Sequence, residues 1–354
     1  SCESLVEIII PSSVTSIGKK SFKQCSTLKE ITIPSSVVSI GEFAFANCVS
    51  LHKISIHSLL KLIEIGTFFN CSSLVEIKIP SSVTLIKEHS FGNCSSLVNV
   101  EIPDLVTTIE KGAFANCTSL KQITIPSSII SLDESAFHGC ISFERINNLS
   151  NITSINPNLF RSCQLLVEIT IPSSVSVIKD HAFMDCASLS KVTIPSSVTS
   201  IEEGAFMNCQ SLIEVTLPPI ITVIEKSTFE NCESLSNFCI PSSVTTIKEN
   251  AFHNCSLEEI IFPPTLSSIE SNSFSNCEYL EIITIPKTMK FIGSSAFSNC
   301  SSLKQVIYET PSLITSIESF TFNFCSSLIQ ITIPESVTSI KEYSFQFCGS
   351  LRQI

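Results

Sequence analysis

Cysteines are the residues of this chain with the most evident chemical potential, because thiols form disulfides, bind metals and act as nucleophiles. The sequence contains 17 of them. Sixteen recur every 23 residues, apart from one step of 22 and one of 25: Cys2, Cys25, Cys48, Cys71, Cys94, Cys117, Cys140, Cys163, Cys186, Cys209, Cys232, Cys255, Cys277, Cys300, Cys325 and Cys348. They form no Cys-x-x-Cys pair and no Cys/His cluster, so the spacing argues against a metal site.

Cysteines one repeat apart would have Cα atoms about 5 Å apart, which a disulfide permits, but their side chains would be parallel rather than converging. We therefore predict a column of buried free thiols that pack as small hydrophobic groups, with disulfides as the alternative. Cys239 lies outside the period, at an outward strand position between Phe238 and Ile240. It is a simple replacement for threonine or, alternatively, an exposed reactive thiol or half of an intermolecular disulfide.

Other residue types give no catalytic constellation. The six histidines fall at four different repeat positions and share no nucleophile or ligand spacing: His52, His57, His89, His138, His181 and His253. The nine glycines form no phosphate-binding loop, and carboxylates pair only by repetition. We predict that the chain is not an enzyme and uses no cofactor or metal.

Asparagine often precedes the periodic cysteine, and we predict a buried structural ladder of amides at these turns. Some of these asparagines form N-x-S/T sequons, at Asn70, Asn93, Asn116, Asn254 and Asn299, where burial would oppose a glycan. Asn148 and Asn151, in the irregular NNLSNIT segment, are the better glycosylation candidates.

The 23-residue period itself indicates how these residues are positioned, because a period of this length is typical of a solenoid. With 44% hydrophobic and 15% charged residues the chain is too apolar for disorder, and no run of 18 apolar residues could span a membrane. A net charge of −11 argues against nucleic-acid binding. We predict a single solenoid over residues 1–354 with about 15 repeats.

One unit, CSSLVEIKIPSSVTLIKEHSFGN, runs from Cys71 to Asn93. Its L-x-x-I-x-I segment alternates as a half-buried strand does, and Pro80 ends that strand because proline cannot donate a ladder hydrogen bond. A second short apolar segment, 83–86, returns to the core, and the Ser90-Phe91 step is predicted as a short helical turn. One repeat buries too little to fold alone, so the strands must stack in a parallel sheet about 4.8 Å apart.

The pattern L-x-x-I-x-I-P-x-S-V-x-x-I-x-x-x-A-F-x-x-C resembles the BspA-like, or treponemal-type, leucine-rich repeat family along the whole chain. IPSSV alone occurs six times. The resemblance implies a right-handed leucine-rich-repeat arc with a parallel β-sheet on the concave face and short strands, turns, 3-10 or helical turns on the other side. It also implies a surface-displayed protein of host-associated microbes that adheres to matrix proteins, host cells or other microbes.

The outward strand positions are where a partner would bind. The position between the two strand isoleucines is mostly threonine, which suits an exposed sheet and, as a remote alternative, an ordered lattice such as ice. Two positions earlier the residues are mixed in charge. The candidate binding residues on the concave face are Lys53, Glu76, Lys78, Glu101, Arg145, Glu168, Lys191 and Glu214. The alternative is a solvated face that prevents edge association.

The repeat is irregular at 140–162, where we expect a local bulge, at 255–276, which is one residue short, and at 300–324, which has two extra residues around Pro311. The ends carry no capping repeat or signal peptide, so we expect a piece of a longer protein, with possible end-to-end association. We predict a cell-surface or secreted protein with a protein partner, no nucleic acid and no membrane span in this chain. The alternative is a structural or cytoplasmic scaffold.

Overall fold

The computed structural model describes residues 2–353. They form two compact units: unit 1 contains Ser1–Val175 and Asp185–Ala187, and unit 2 contains Ser176–Met184 and Ser188–Ile354. Short β-strands and turns make up both units, and no residue in the described range is helical.

Unit 1 contains fourteen strands: β1 (Ser16–Ile17), β2 (Glu30–Ile33), β3 (Ser39–Ile40), β4 (Lys53–Ile56), β5 (Leu62–Ile63), β6 (Glu76–Lys78), β7 (Leu85–Ile86), β8 (Asn99–Glu101), β9 (Thr108–Ile109), β10 (Gln122–Thr124), β11 (Ser131–Leu132), β12 (Arg145–Asn147), β13 (Ser154–Ile155) and β14 (Glu168–Thr170). We call the sheet face made by the even-numbered strands face A and the one made by the odd-numbered strands face B.

Unit 2 contains thirteen strands: β15 (Val177–Ile178), β16 (Lys191–Thr193), β17 (Ser200–Ile201), β18 (Glu214–Val215), β19 (Val223–Ile224), β20 (Thr246–Ile247), β21 (Ser268–Ile269), β22 (Ile282–Ile285), β23 (Phe291–Ile292), β24 (Gln305–Tyr308), β25 (Ser316–Ile317), β26 (Gln330–Ile331) and β27 (Ser339–Ile340). Here β16, β18, β22, β24 and β26 form face A, and the other strands form face B.

Each strand pairs in parallel with the equivalent strand one repeat away. On face A, β6 pairs with β8 with Ile77 beside Val100, and on face B, β7 pairs with β9 with Ile86 beside Ile109. The predicted leucine-rich-repeat solenoid with in-register parallel strands is therefore confirmed.

Phenylalanine rings form a continuous stack inside each unit. In unit 1, ring centroids of consecutive repeats lie 5.1 Å apart between Phe91 and Phe114 and 5.8 Å apart between Phe114 and Phe137, with nearly parallel planes. In unit 2, Phe206 and Phe229 are 5.7 Å apart in the same way. These rings are fully buried, so each repeat contributes its largest apolar group to a shared column.

The segment between each face B strand and the next periodic cysteine, for example residues 87–93, is a run of turns. We call it the return segment. The sequence suggested a short helical turn here. Two residues of the segment, for example His89 and Asn93, have φ near +50° and +61°. Alternate amides of the segment donate to the next repeat, as Phe91 N–H does to Ala113 O at 2.8 Å, and the amides between them bond within the segment, as Gly92 N–H does to His89 O at 3.1 Å. Half of these amides therefore bond between repeats, whereas the amides of an α-helix bond within the helix.

The irregular repeat at 140–162 keeps its strand. Arg145, Ile146 and Asn147 pair in unbroken register with β10, so the bulge expected there is absent from this strand. The departure begins at Asn148, whose φ is +63° and whose side-chain amide donates to Ile125 O at 2.9 Å. In the repeat with two extra residues, the additional length lies in the loop between β24 and β25, which contains a cis Thr310–Pro311 bond.

Candidate protein-recognition face

Face A presents every second side chain to solvent. In β6 the exposed Glu76 and Lys78 flank the buried Ile77, and the same exposed, buried, exposed order recurs in β8, β10, β14 and β16. The alternation follows from the strand, whose successive side chains point to opposite sides of the sheet. Inward isoleucines and valines thus anchor the outward residues to the core.

All eight candidate binding residues are exposed on this face. Unit 1 carries Lys53, Glu76, Lys78, Glu101, Arg145 and Glu168, and unit 2 carries Lys191 and Glu214. The sheet register sets opposite charges side by side, with Lys53 beside Glu30 and Lys78 beside Glu101 in unit 1, and Lys191 beside Glu214 in unit 2. Each unit therefore presents a rigid surface of mixed charge.

The threonine column of face A is interrupted. Lys78 and Glu101 replace threonine in unit 1, and Cys239, Ile261 and Ile307 replace it in unit 2. A lattice-matching surface needs a regular array of one group, so the interruptions argue against ice or crystal binding.

The periodic cysteines are free, and those from Cys25 to Cys325 are buried. Cys94 Sγ donates to Phe68 O at 3.2 Å, and the same bond recurs in neighbouring repeats. Burial raises the pKa of Cys94 to about 12 and does the same for Cys140. The predicted column of buried free thiols is confirmed from Cys25 to Cys325, whereas Cys2 is exposed and Cys348 is half-buried. These buried thiols pack as core groups, and the Sγ–H···O bond to a phenylalanine carbonyl begins at Cys48.

Cys239 differs from the buried periodic cysteines because it is exposed. Its neighbours Phe238 and Ile240 are buried, so Cys239 occupies the outward position that its place in the strand predicts. It lines a groove on face A of unit 2 with a volume of about 520 Å³.

The asparagine ladder is present, but its amides bond to one another rather than to backbone groups. Asn70 Nδ2 donates to Asn47 Oδ1 at 2.8 Å, and Asn116 Nδ2 donates to Asn93 Oδ1 at 2.9 Å. The predicted burial is wrong: Asn47, Asn70 and Asn93 are half-buried and Asn116 is exposed. Asparagine stands here because it tolerates the left-handed backbone better than most residues.

The two glycosylation candidates lie at the surface of unit 1. Asn148 and Asn151 are both exposed. Their side-chain nitrogens donate to backbone carbonyls of the preceding repeat, Asn148 to Ile125 at 2.9 Å and Asn151 to Ser127 at 2.5 Å. A glycan on either residue would be attached to the nitrogen that makes this bond. Glycosylation of Asn148 or Asn151 stays a prediction.

In residues 2–353, no three His, Cys, Asp or Glu side chains are arranged to hold a metal ion. In the same range no helix has the length and apolarity needed to cross a bilayer.

A second groove of about 790 Å³, which the sequence did not predict, lies on face A of unit 2. Its lining includes Ile261, Tyr279 and Ile282, which are 72%, 58% and 48% exposed. The sequence does carry a signal for this groove, namely isoleucine at two positions that are polar in most repeats. These positions can be recognised as outward only after the strands have been assigned.

Comparisons with known proteins agree with the repeat geometry. The sequence model described as BspA type leucine rich repeat region matches overlapping stretches from 1–104 to 245–354, which together span the chain. The chain belongs to the BspA-type leucine-rich repeat family. A comparison with curated proteins finds no match.

Two crystal structures share the fold of this BspA-type chain. A leucine-rich repeat protein from Bacteroides ovatus is 25% identical, with a TM-score of 0.71 over 96% of this chain and 87% of the other. A leucine rich cell surface protein from Faecalibacterium prausnitzii is 32% identical, with a TM-score of 0.53 over 84% of this chain and 78% of the other.

Proposed function

We propose that this BspA-type chain is a non-catalytic recognition module, displayed at the cell surface or secreted, that adheres to a host matrix or cell-surface protein through face A. The observation that carries the proposal is the row of exposed charged residues held on paired strands in each unit. The similarity to a leucine rich cell surface protein of another organism supports the location.

Rigid strands favour this use of the face. A side chain on a paired strand with a buried neighbour loses little backbone freedom on binding, which lowers the entropic cost of association. Alternating charges such as Lys78 beside Glu101 select a partner with the complementary arrangement and disfavour others. Polar outward residues also keep the face soluble when no partner is bound.

Two measurements test the proposal. An antibody to the chain should label intact source cells without permeabilisation. Immobilised matrix proteins should bind the purified chain, and Lys78→Glu should weaken that binding about tenfold, or about 1.4 kcal/mol. Lys111→Glu is the matched control, because Lys111 is exposed beside Glu134 in the return segment and not on face A.

A structural or intracellular scaffold that assembles through its ends is the second candidate. Buried free thiols favour it, because they are stable in a reducing compartment. Labelling only after permeabilisation, together with concentration-dependent association in sedimentation velocity, would support the scaffold. Binding to no matrix or cell-surface protein would contradict adhesion.

A further inference from the structure

Face A of unit 2 loses its strands in one place. Between Val215 and Ile282 the described chain has no face A strand, and only single bridges remain, from Glu214 to Asn237 and from Asn237 to Glu259. Face B continues through the same repeats as β19, β20 and β21, so the interruption affects one side of the solenoid only.

Two buried phenylalanines lie in the same interval. Phe238 and Phe262 stand at inward strand positions that are aliphatic in most repeats. Phe238 packs edge-on against the stack, 5.2 Å from Phe229 and 4.8 Å from Phe252, and Phe262 lies 5.5 Å from Phe274, also edge-on. The interval without a face A strand therefore coincides with two additional rings in the core.

Two grooves lie in this interval and share Asn237, Glu259 and Ile261, with volumes of about 790 Å³ and about 520 Å³. The shared residues make them one continuous surface, which we call the unit 2 groove. Its central column, from Glu214 to Gln305, spans four strand spacings or about 19 Å, enough for roughly six residues of extended chain.

The groove offers a cluster of apolar contacts on face A. Ile261 is 72% exposed and Ile282 is 48% exposed. Ile307 is also exposed and lies beside Thr284 in the register of β22 and β24. The equivalent outward position of unit 1 is polar or charged in most repeats and isoleucine at the exposed Ile9. Clustered exposed aliphatic groups mark an interaction site more often than scattered ones do.

The charge of the lining is one-sided. Five carboxylates line the groove, Glu214, Glu258, Glu259, Glu281 and Glu309, and none of its described lining residues is basic. Glu281 is paired with Lys304 at 2.7 Å, and Glu309 accepts a hydrogen bond from the Lys287 N–H at 3.2 Å. No ion pair within residues 2–353 involves Glu258 or Glu259, so these two carboxylates are available to a cation.

We infer that the unit 2 groove binds an extended polypeptide segment of a partner protein in which aliphatic side chains are interspersed with lysine or arginine. The inference rests on the proposed recognition function and names the site and the ligand chemistry. Aliphatic side chains contact Ile261 and Ile282, and basic side chains pair with Glu258 and Glu259. A second copy of this chain is a poor occupant, because its own charge is −11.

The test uses the peptide acetyl-(Lys-Val)3-amide as probe, with acetyl-(Glu-Val)3-amide and acetyl-(Lys-Ser)3-amide as controls. Calorimetry gives the affinity for the whole chain. Alkylation of Cys239 by iodoacetamide gives the location, because Cys239 lines the groove and the exposed Cys2 is an internal reference outside it. Ile261→Ser is compared with Ile130→Ser, since Ile130 is 63% exposed away from face A.

We expect only the Lys-Val peptide to bind, to slow alkylation of Cys239 at least fivefold and to leave Cys2 unchanged. Ile261→Ser and Glu259→Lys should each weaken binding at least fivefold, and Ile130→Ser should have no effect. The inference would be overturned if the Lys-Ser peptide bound as tightly as the Lys-Val peptide, or if the Lys-Val peptide did not protect Cys239 from alkylation. If matrix proteins still bound the chain and Lys78→Glu weakened that binding, the proposed function would stand without this groove. If no matrix or cell-surface protein and no peptide bound the chain, both the proposed function and this inference would be contradicted.

Discussion

At the scale of the residue, position in the repeat decides whether a thiol can react. The return segment places the periodic cysteines from Cys48 to Cys325 in the core, where the Sγ donates to a phenylalanine carbonyl, as Cys117 does to Phe91 O at 3.2 Å. Burial stabilises the neutral thiol over the thiolate, which is the nucleophilic form. Cys239 has the same functional group but lies at an outward strand position, so only its surroundings distinguish it.

Native alkylation should therefore separate the cysteines into two groups. Iodoacetamide at pH 8 should modify Cys2 and Cys239 within minutes and leave Cys94 and Cys140, whose pKa is raised to about 12, unmodified. Peptide mass spectrometry reads each site, and the chain unfolded in urea should be alkylated at all 17 cysteines. Equal rates at Cys94 and Cys239 would disprove the burial argument.

Ser90 is a buried residue with an unmet hydrogen bond. It is fully buried in the position that is alanine in many repeats, and its hydroxyl finds no hydrogen-bond partner among residues 2–353. Ser90→Ala should raise the free energy of unfolding by about 1–3 kcal/mol, because the substitution removes an uncompensated desolvation penalty. The measurement is urea unfolding followed by circular dichroism.

The matched control for Ser90 is Ser273, which occupies the same repeat position. Its hydroxyl donates to Glu270 O at 2.6 Å. Ser273→Ala should therefore lower the free energy of unfolding, by about 1 kcal/mol. The same sign for both substitutions would show that hydrogen-bond satisfaction does not govern this position.

His138 should make unit 1 sensitive to mild acid. Burial, aided by the charge of Arg161, lowers the pKa of His138 below its ordinary 6.5, and its Nδ1 has no hydrogen-bond partner in the described part of the chain. The unfolded chain therefore binds a proton at a higher pH than the folded chain, so stability is lost as pH falls below about 6.5. The melting temperature should fall further between pH 7.5 and 5.5 for the parent than for His138→Gln, and equal falls would contradict the assignment.

At the scale of the element, the sequence predicted the strands that recur in each repeat. Ile77 and Ile79 alternate with polar residues, so the face A strand could be assigned, and Pro80 marked its end. The return segment could not be assigned, because its geometry depends on left-handed residues such as Asn93 that bond to the next repeat. Local propensity carries no information about a bond that exists only after stacking.

The candidate site, too, could be predicted only in part. Alternation in the strands placed Lys78 and Glu101 outward, and both are exposed. The unit 2 groove could not be predicted, because it lies where the face A strand is interrupted and inward Phe238 and Phe262 pack edge-on against the ring stack. The alternation of residues does not reveal that interruption.

The phenylalanine stack is the element that we expect to dominate stability. Phe114 is fully buried between Phe91 and Phe137, so Phe114→Ala removes two ring contacts and leaves a cavity. The free energy of unfolding should fall by about 3–5 kcal/mol. Phe291→Ala is the control, because Phe291 is 44% exposed and should cost less than 1 kcal/mol. Comparable losses in urea unfolding would mean that stacking contributes little.

At the scale of the whole molecule, repeats contact their neighbours in sequence and little else. Strands pair one repeat apart, as β5 pairs with β7 and β7 with β9, and rings stack at the same interval. Stability in such a solenoid is a sum of repeat and nearest-neighbour terms, so a defect should act locally. A globular core, in which distant segments share contacts, would transmit the same defect throughout.

Hydrogen exchange on the milder variant Phe114→Leu tests this locality within unit 1. The amides of Phe91 and Phe114, which donate to Ala113 O at 2.8 Å and Ala136 O at 2.9 Å, flank the cavity and should exchange faster than in the parent. The amides of Phe45 and Phe22, which make the same bonds three and four repeats from Phe114, should keep their protection. Nearest-neighbour coupling predicts this gradient because partial opening near residue 114 breaks only adjacent interfaces. A uniform loss of protection across all four amides would instead show that unit 1 opens as one cooperative block.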